Sequence, residues 1–157
     1  GWSLGGLLAI NIATKIKISQ LILLASSPNF VQNERWQFGI DADNFRQFSD
    51  TLKLNPSKGL KRFVSLQTQD KTQIKNLSRS IDALPASTTA LNQGLEILLN
   101  SDSTQQFLAL SIDKSVILGE KDTLVPSTIA HWYRQQGVDT TVLNSGHIPF
   151  LHQNFAL

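Results

Sequence analysis

Apolar runs and helical periodicities alternate at both ends of this chain. Short apolar runs bounded by polar residues are typical of strands that are buried on both faces of a parallel sheet. They lie at residues 20–25, 114–118 and 140–143. Helical spacing of apolar positions occupies residues 5–15 and 126–136, and Gly137 stands in the usual place after a helix end. This alternation predicts an α/β fold, a parallel sheet flanked by helices.

Between residues 30 and 109 the strand-like runs disappear and helical periodicity prevails. Helices are predicted at residues 43–54, 57–69, 71–84 and 88–99, with a short one at 103–110. Pro56 stands where a helix begins, and Pro85 interrupts the pattern. We therefore divide the chain into an α/β core, residues 1–29 and 110–157, and an all-helical lid insertion, residues 30–109. A last helix is expected to begin near Gln153.

Composition narrows the classes of function. The formal net charge of +2, from 14 basic and 12 acidic side chains, is too small to indicate nucleic-acid binding. The absence of cysteine excludes disulfides, thiolate zinc sites and cysteine nucleophiles. The longest apolar run, residues 21–25, is far shorter than a membrane span, and no signal peptide is visible. We expect a cytoplasmic monomer that binds neither nucleic acid nor membrane and uses no metal or cofactor.

The first six residues, Gly1-Trp2-Ser3-Leu4-Gly5-Gly6, contain the pattern Gly-x-Ser-x-Gly and lead directly into an apolar helical run. In a nucleophile elbow this pattern places a serine on a strained turn between a strand and a helix. Gly1 and Gly5 are expected to let the helix and the strand approach, with further relief at Gly6. The Leu4 amide, the first of the helix, would face a developing oxyanion. The alternative is a glycine-rich turn that opens an ordinary helix.

Three residues with complementary chemistry follow predicted strands in the order Ser3, Asp122, His147, which is the order of α/β-hydrolases. Serine needs a base to become a nucleophile, histidine accepts a proton near neutral pH, and a carboxylate orients the imidazole. We therefore predict a catalytic triad. As alternatives, Asp122 is a surface turn residue or helix cap, and His147 is a loop histidine bonded to the backbone.

Several segments resemble the pimeloyl-[acyl-carrier protein] methyl ester esterases of biotin synthesis, which are α/β-hydrolases. The resemblance covers nearly the whole chain and includes the predicted lid. It rests on Gly1–Gly6, Ala25-Ser26-Ser27-Pro28, Arg62-Phe63, Leu66-Gln67, Asn92, Gly94-Leu95-Glu96-Ile97-Leu98, Asp122 and Leu124-Val125-Pro126.

The resemblance implies a serine carboxylesterase that hydrolyses the methyl ester of pimeloyl-acyl-carrier protein and releases methanol. It implies that the carrier protein is the partner and that no cofactor takes part. Ser3, Asp122 and His147 would be catalytic, with Leu4 as an oxyanion donor. The residues implied to contact substrate are Ser3, Leu4, Phe63, Val64, Ser65, Leu66, Gln67 and His147.

Basic residues are concentrated in the predicted lid. Residues 53–79 hold seven Lys or Arg and one acid, Asp70. Helical spacing places Lys58 with Arg62, and Lys75 with Arg79, on one face each. We expect these four residues to dock an acidic carrier protein by electrostatic attraction. The alternative is a solvated helix face, as most charged helix surfaces are.

Two other functions stay open from the residues alone. One is a general short-chain carboxylesterase without a carrier partner, and the other is a non-catalytic binding protein with a hydrolase fold. The sequence begins at Gly1, with no initiator methionine and no strand ahead of the elbow. We therefore expect that upstream residues are missing. The resemblance implies that the second oxyanion donor of the family belongs to that upstream part and that the last helix is cut short, so we expect a chain truncated at both ends.

Overall fold

A three-stranded parallel sheet forms the centre of the fold. A computed structural model describes all 157 residues. The strands are β1 (Gln20–Leu24), β2 (Asp113–Gly119) and β3 (Asp139–Leu143), and they lie side by side in that order. Leu23 pairs with Val116, and Leu118 pairs with Val142. The predicted strands and the α/β class are confirmed.

Two helices pack against this sheet. Helix α1 (Leu4–Ala13) contacts β1, and α7 (Ile129–Gln135) contacts β3. Gly137 has a φ of 71°, which suits glycine and ends the predicted helix as expected. Helix α7 starts later than predicted because Pro126, Ser127 and Thr128 form a turn that precedes it.

Five helices lie between β1 and β2, and each ends within two residues of its predicted bounds. They are α2 (Ala42–Leu54), α3 (Pro56–Gln67), α4 (Lys71–Ala83), α5 (Thr88–Asn100) and α6 (Thr104–Ala109). The first four begin where an Asp, Asn or Ser side chain accepts a hydrogen bond from a free backbone amide. These capping residues are Asp41, Asn55, Asp70 and Ser87.

The two ends of this segment pack into the core of the domain. Phe30, Val31 and Trp36 precede α2 and are almost fully buried. Phe107 of α6 is 0% exposed, and α6 contacts α1. One apolar cluster therefore extends from the sheet into residues 30–109.

Two expectations about local structure were wrong. In β1, Leu21 and Leu23 are buried, whereas Ile22 and Leu24 on the opposite face are only half-buried. No helix begins near Gln153, since the chain forms a single 3-10 turn at Pro149–Leu151 and then irregular backbone. No helix here combines the length and apolar composition that crossing a bilayer requires.

Candidate active site

Ser3 occupies a strained turn between the sheet edge and α1. Its φ is 51° and its ψ is −129°, a combination that residues with a side chain rarely adopt. Trp2 forms a parallel bridge with Leu24, and the Ser3 amide donates to the Leu24 carbonyl over 3.0 Å. Helix α1 begins at the next residue. The Ser3 side chain is therefore held at the carboxyl end of β1.

Two glycines make this turn sterically possible. A Cβ on Gly1 would lie 2.5 Å from the Gly5 carbonyl oxygen, and one on Gly6 would overlap the Ser26 side chain. A Cβ on Gly5 would meet nothing within 4 Å, so the expectation that Gly5 must be small for close approach was wrong. Ser26 Oγ also donates to the Ser3 carbonyl over 2.7 Å, and this hydrogen bond stabilises the turn.

The structure brings Ser3, His147 and Asp122 into one hydrogen-bonded chain. His147 Nε2 lies 2.8 Å from Ser3 Oγ, and His147 Nδ1 lies 2.8 Å from Asp122 Oδ2. The side chains of His147 and Asp122 are both 0% exposed. A proton on Nδ1, bonded to the carboxylate, leaves Nε2 free to accept from the Ser3 hydroxyl. This arrangement can remove the proton from Ser3.

Parallel strands explain why residues so distant in sequence meet. Asp122 follows the end of β2 and His147 follows the end of β3. The carboxyl ends of parallel strands meet at one edge of a sheet, where Ser3 also lies. Asp122 Oδ1 additionally accepts from the amides of Leu124 (2.8 Å) and Val125 (3.0 Å). Asp122 therefore has both predicted roles: one oxygen accepts from the amides of its own turn, and the other is bonded to His147.

The Leu4 amide is the first of α1 and has no acceptor in the structure, whereas the Gly6 and Leu7 amides donate to the Ser3 carbonyl. A free amide at a helix N-terminus, next to Ser3, is suited to an anionic oxygen.

A cavity of about 210 Å³ opens beside Ser3, and most of its lining is apolar. Four phenylalanines and four aliphatic residues form its apolar walls: Phe30, Phe45, Phe48, Phe63, Ile40, Leu66, Leu98 and Leu124. Asn44, Arg62 and Thr123 contribute the polar part. Phe45 and Phe48 were not predicted as site residues, although their spacing of three on a predicted helix places both on one face.

Only part of the predicted substrate-contacting stretch lines this cavity. Phe63 and Leu66 do, one helical turn apart on α3. Val64 is 2% exposed and faces a groove shared with α4, while Ser65 lines a separate polar cleft beside the His147 loop. Gln67 is buried, and its carbonyl accepts from the His147 amide over 2.8 Å.

The four predicted docking residues lie on two adjacent helices. Lys58 and Arg62 are on α3, Lys75 and Arg79 are on α4, and all four are exposed. None of them forms an ion pair, whereas Lys53 pairs with Glu96 at 3.0 Å, which lowers the pKa of the Glu96 carboxyl. Arg62 also contributes to the cavity that contains Ser3.

Comparison with known proteins finds relatives that resemble the chain along nearly its whole length. The pimeloyl-[acyl-carrier protein] methyl ester esterase of Xylella fastidiosa is 34% identical over 98% of this chain, which covers 65% of that relative. The enzyme of the same name from Pseudoalteromonas atlantica is 36% identical over 96% of this chain, which covers 62% of it. The chain thus spans somewhat less than two thirds of the length of these relatives. No family model matches the chain.

Solved structures share its fold. An esterase from Exiguobacterium antarcticum superimposes with a TM-score of 0.83 and 24% identity, over 96% of this chain and 59% of that one. Neighbours of this kind are α/β-hydrolases, which confirms the predicted fold class.

Proposed function

We propose that this chain, which has the α/β-hydrolase fold and resembles the pimeloyl-[acyl-carrier protein] methyl ester esterases, acts as a serine carboxylesterase. The observation that carries the proposal is the hydrogen-bonded series Ser3–His147–Asp122 at the wall of an apolar cavity. The proposed reaction is hydrolysis of the methyl ester of pimeloyl-acyl-carrier protein to the free acid and methanol, in biotin synthesis.

In this mechanism, His147 Nε2 takes the hydroxyl proton of Ser3 as Oγ attacks the ester carbonyl. Asp122 Oδ2 holds the Nδ1 proton and stabilises the imidazolium that forms. The Leu4 amide donates to the oxyanion of the tetrahedral intermediate. The imidazolium then protonates the methoxide leaving group, so methanol departs and an acyl-enzyme remains. Water attacks the acyl-enzyme, with His147 again as the base.

The cavity beside Ser3 supports an aliphatic substrate. Phenylalanine rings and leucines bury a methylene chain favourably, because each CH₂ removed from water contributes about 0.8 kcal/mol. Leu66 lies beside Thr123, whose hydroxyl donates to the Leu66 carbonyl over 3.0 Å, and Phe63 follows Arg62 on α3. We assign to this cavity the part of the substrate next to the scissile ester, and to residues 30–109 the role of a lid.

The basic residues of α3 and α4 support an acidic macromolecular partner. Lys58, Arg62, Lys75 and Arg79 are exposed and carry charges that no acidic side chain of the chain neutralises by contact. Arg62 extends from this surface to the cavity, so a carrier docked here would present its acyl group near Ser3. The names of the relatives include an acyl-carrier protein.

Labelling by a fluorophosphonate tests the serine chemistry in the full-length gene product. Ser3 should be the labelled residue, and Ser3→Ala should lose about four to six orders of magnitude in p-nitrophenyl ester turnover while melting near the wild-type temperature. Ser26→Ala is the matched control, since Ser26 is also buried beside the turn but its hydroxyl donates to the Ser3 carbonyl and not to His147. Near-normal turnover by Ser3→Ala would remove Ser3 as the nucleophile.

Methyl esters of increasing acyl length, free and attached to acyl-carrier protein, separate the proposed substrate from the alternatives. We expect the carrier-bound pimeloyl methyl ester to have the highest kcat/KM. Equal kcat/KM for free and carrier-bound esters would indicate a general short-chain carboxylesterase. The absence of any phosphonate labelling would indicate a binding protein without catalysis.

A further inference from the structure

The main chain of His147 is held from two sides. Its amide donates to the Gln67 carbonyl at the end of α3 over 2.8 Å. Its carbonyl accepts from the indole Nε1 of Trp2 over 2.7 Å. The amide and the carbonyl of His147 are thereby bonded to elements outside its own loop. One of the two partners, Trp2, is the residue that precedes Ser3.

Trp2 is itself well anchored. Its main chain forms a bridge with Leu24 at the end of β1. Its indole ring packs edge-on against Phe150 at a centroid distance of 5.3 Å and lies 5.6 Å from the His147 ring, tilted by 46°. The indole therefore spans from the sheet to the loop after β3, a separation of 145 residues in sequence.

This contact bears directly on the position of the imidazole. Asp122 is oriented by two backbone amides and Ser3 by the strained turn, whereas His147 lies on a loop without regular structure. Its ring must reach Ser3 Oγ and Asp122 Oδ2 at the same time, both at 2.8 Å. A shift of the His147 peptide would lengthen one of these two hydrogen bonds.

We infer that Trp2 is a positioning residue, whose indole N–H fixes the His147 carbonyl and so aligns the imidazole with Ser3. This inference rests on the proposed function, because it assigns Trp2 a part in the same reaction. Displacements of about 1 Å in a reacting group can reduce the rate by about a hundredfold. Loss of the indole N–H should therefore reduce the rate constant of the chemical step while leaving substrate binding nearly unchanged.

Trp2→Phe tests this, since it keeps an aromatic ring against Phe150 and removes the N–H. We expect kcat per active site to fall by about tenfold to a hundredfold, with KM changed less than about twofold. Active sites are counted with a fluorophosphonate, so partial unfolding would reduce the number of labelled sites without changing kcat per site. Trp36→Phe is the matched control, because Trp36 is 4% exposed and its Nε1 has no acceptor in the structure. This control should keep the wild-type kcat per site.

A kcat per site of Trp2→Phe within about twofold of the wild type would overturn the inference and leave the proposed function standing. Absence of labelling in the wild type would instead refute the proposed function. If Trp2→Phe does not fold, the rate at which the Trp2 indole N–H exchanges with solvent in the wild-type protein tests the inference instead. The Trp2 indole resonance is identified by its cross-relaxation with the ring protons of Phe150, whose ring centroid lies 5.3 Å from that of Trp2. Slow exchange supports the hydrogen bond, and exchange at the rate of a free indole overturns it.

Discussion

At the scale of single residues, Asp122 uses its two carboxylate oxygens for different purposes. Oδ1 accepts from the Leu124 and Val125 amides, and Oδ2 lies 2.8 Å from His147 Nδ1. The amides determine which way the carboxylate plane faces, and only a pure acceptor at Oδ2 favours a proton on Nδ1. The charge and the acceptor geometry of Asp122 are therefore both needed for the proposed mechanism.

Asp122→Asn should separate these two properties. The asparagine oxygen would keep the contacts to the two amides, so its NH₂ group would face His147 and donate to Nδ1. The imidazole would then carry its proton on Nε2 and could not accept from Ser3. We expect kcat to fall by about 10⁴-fold.

Steady-state turnover of a p-nitrophenyl ester together with a melting curve measures this effect. A variant that melts like the wild type and keeps more than about a tenth of its kcat would contradict the proposed role of Asp122.

At the scale of elements, α3 connects the basic surface to the site. Its last carbonyls have no partners within the helix, as at any helix end. The Leu66 carbonyl accepts from Thr123 Oγ1 over 3.0 Å, and the Gln67 carbonyl accepts from the His147 amide. The loops after β2 and β3 thus satisfy the end of α3, while its preceding turns carry Lys58, Arg62 and Phe63.

Reversal of Lys75 and Arg79 to Glu should weaken the use of carrier-bound ester and flatten its salt dependence. Electrostatic attraction acts mainly on the association rate and is screened over about 8 Å at physiological ionic strength. Hydrolysis of a small free ester should barely change, because neither Lys75 nor Arg79 lines the cavity beside Ser3.

Both substrates are compared across a salt series, with Lys15→Glu and Lys17→Glu as the matched control. These two lysines are exposed just after α1 and provide the same change of charge elsewhere on the surface. Equal losses on free and carrier-bound ester would show damage to the cavity and would contradict docking at α3 and α4.

At the scale of the whole molecule, Tyr133 joins α7 to the loop that supports Ser3. Its side chain is 0% exposed, and its hydroxyl donates to the Ser26 carbonyl over 3.1 Å. Burial raises the pKa of the Tyr133 hydroxyl far above its ordinary value of 10.0. The folded protein therefore keeps this proton at pH values where the unfolded chain loses it.

The free energy of unfolding should consequently fall as the pH rises above about 10, the unfolded pKa. One linked proton contributes a slope of at most about 1.4 kcal/mol per pH unit. Below pH 10 the contribution is fully present. Tyr133→Phe should be less stable at neutral pH by about 1 kcal/mol, through loss of the hydrogen bond, but should show a shallower decline above pH 10.

The difference in phenolate absorbance between the wild type and Tyr133→Phe reports the ionisation of Tyr133. It should rise together with the loss of circular dichroism as the protein unfolds. Phenolate formation in a protein that is still folded, near pH 10, would contradict the buried environment.

The sequence alone predicted the three strands, the five helices between them and the candidate site residues Ser3, Asp122 and His147. Local signals suffice for this prediction. A strand is recognised by an apolar run, and a helix by the periodicity of its apolar residues and by its capping residue. The pattern Gly-x-Ser-x-Gly involves only neighbouring residues. Asp122 and His147 were selected because each follows a strand, and the carboxyl ends of parallel strands share one edge. The fold class was predicted on the same basis.

Only the tertiary structure decided which side chains surround Ser3. The stretch Phe63–Gln67 is contiguous in sequence, yet its helical twist turns Phe63 and Leu66 toward the cavity, Val64 toward α4 and Ser65 toward the polar cleft. The contacts that hold His147, from Trp2 and Gln67, join segments that are 145 and 80 residues apart. Such contacts depend on how elements pack against each other, and no periodicity or motif along the chain encodes that packing locally.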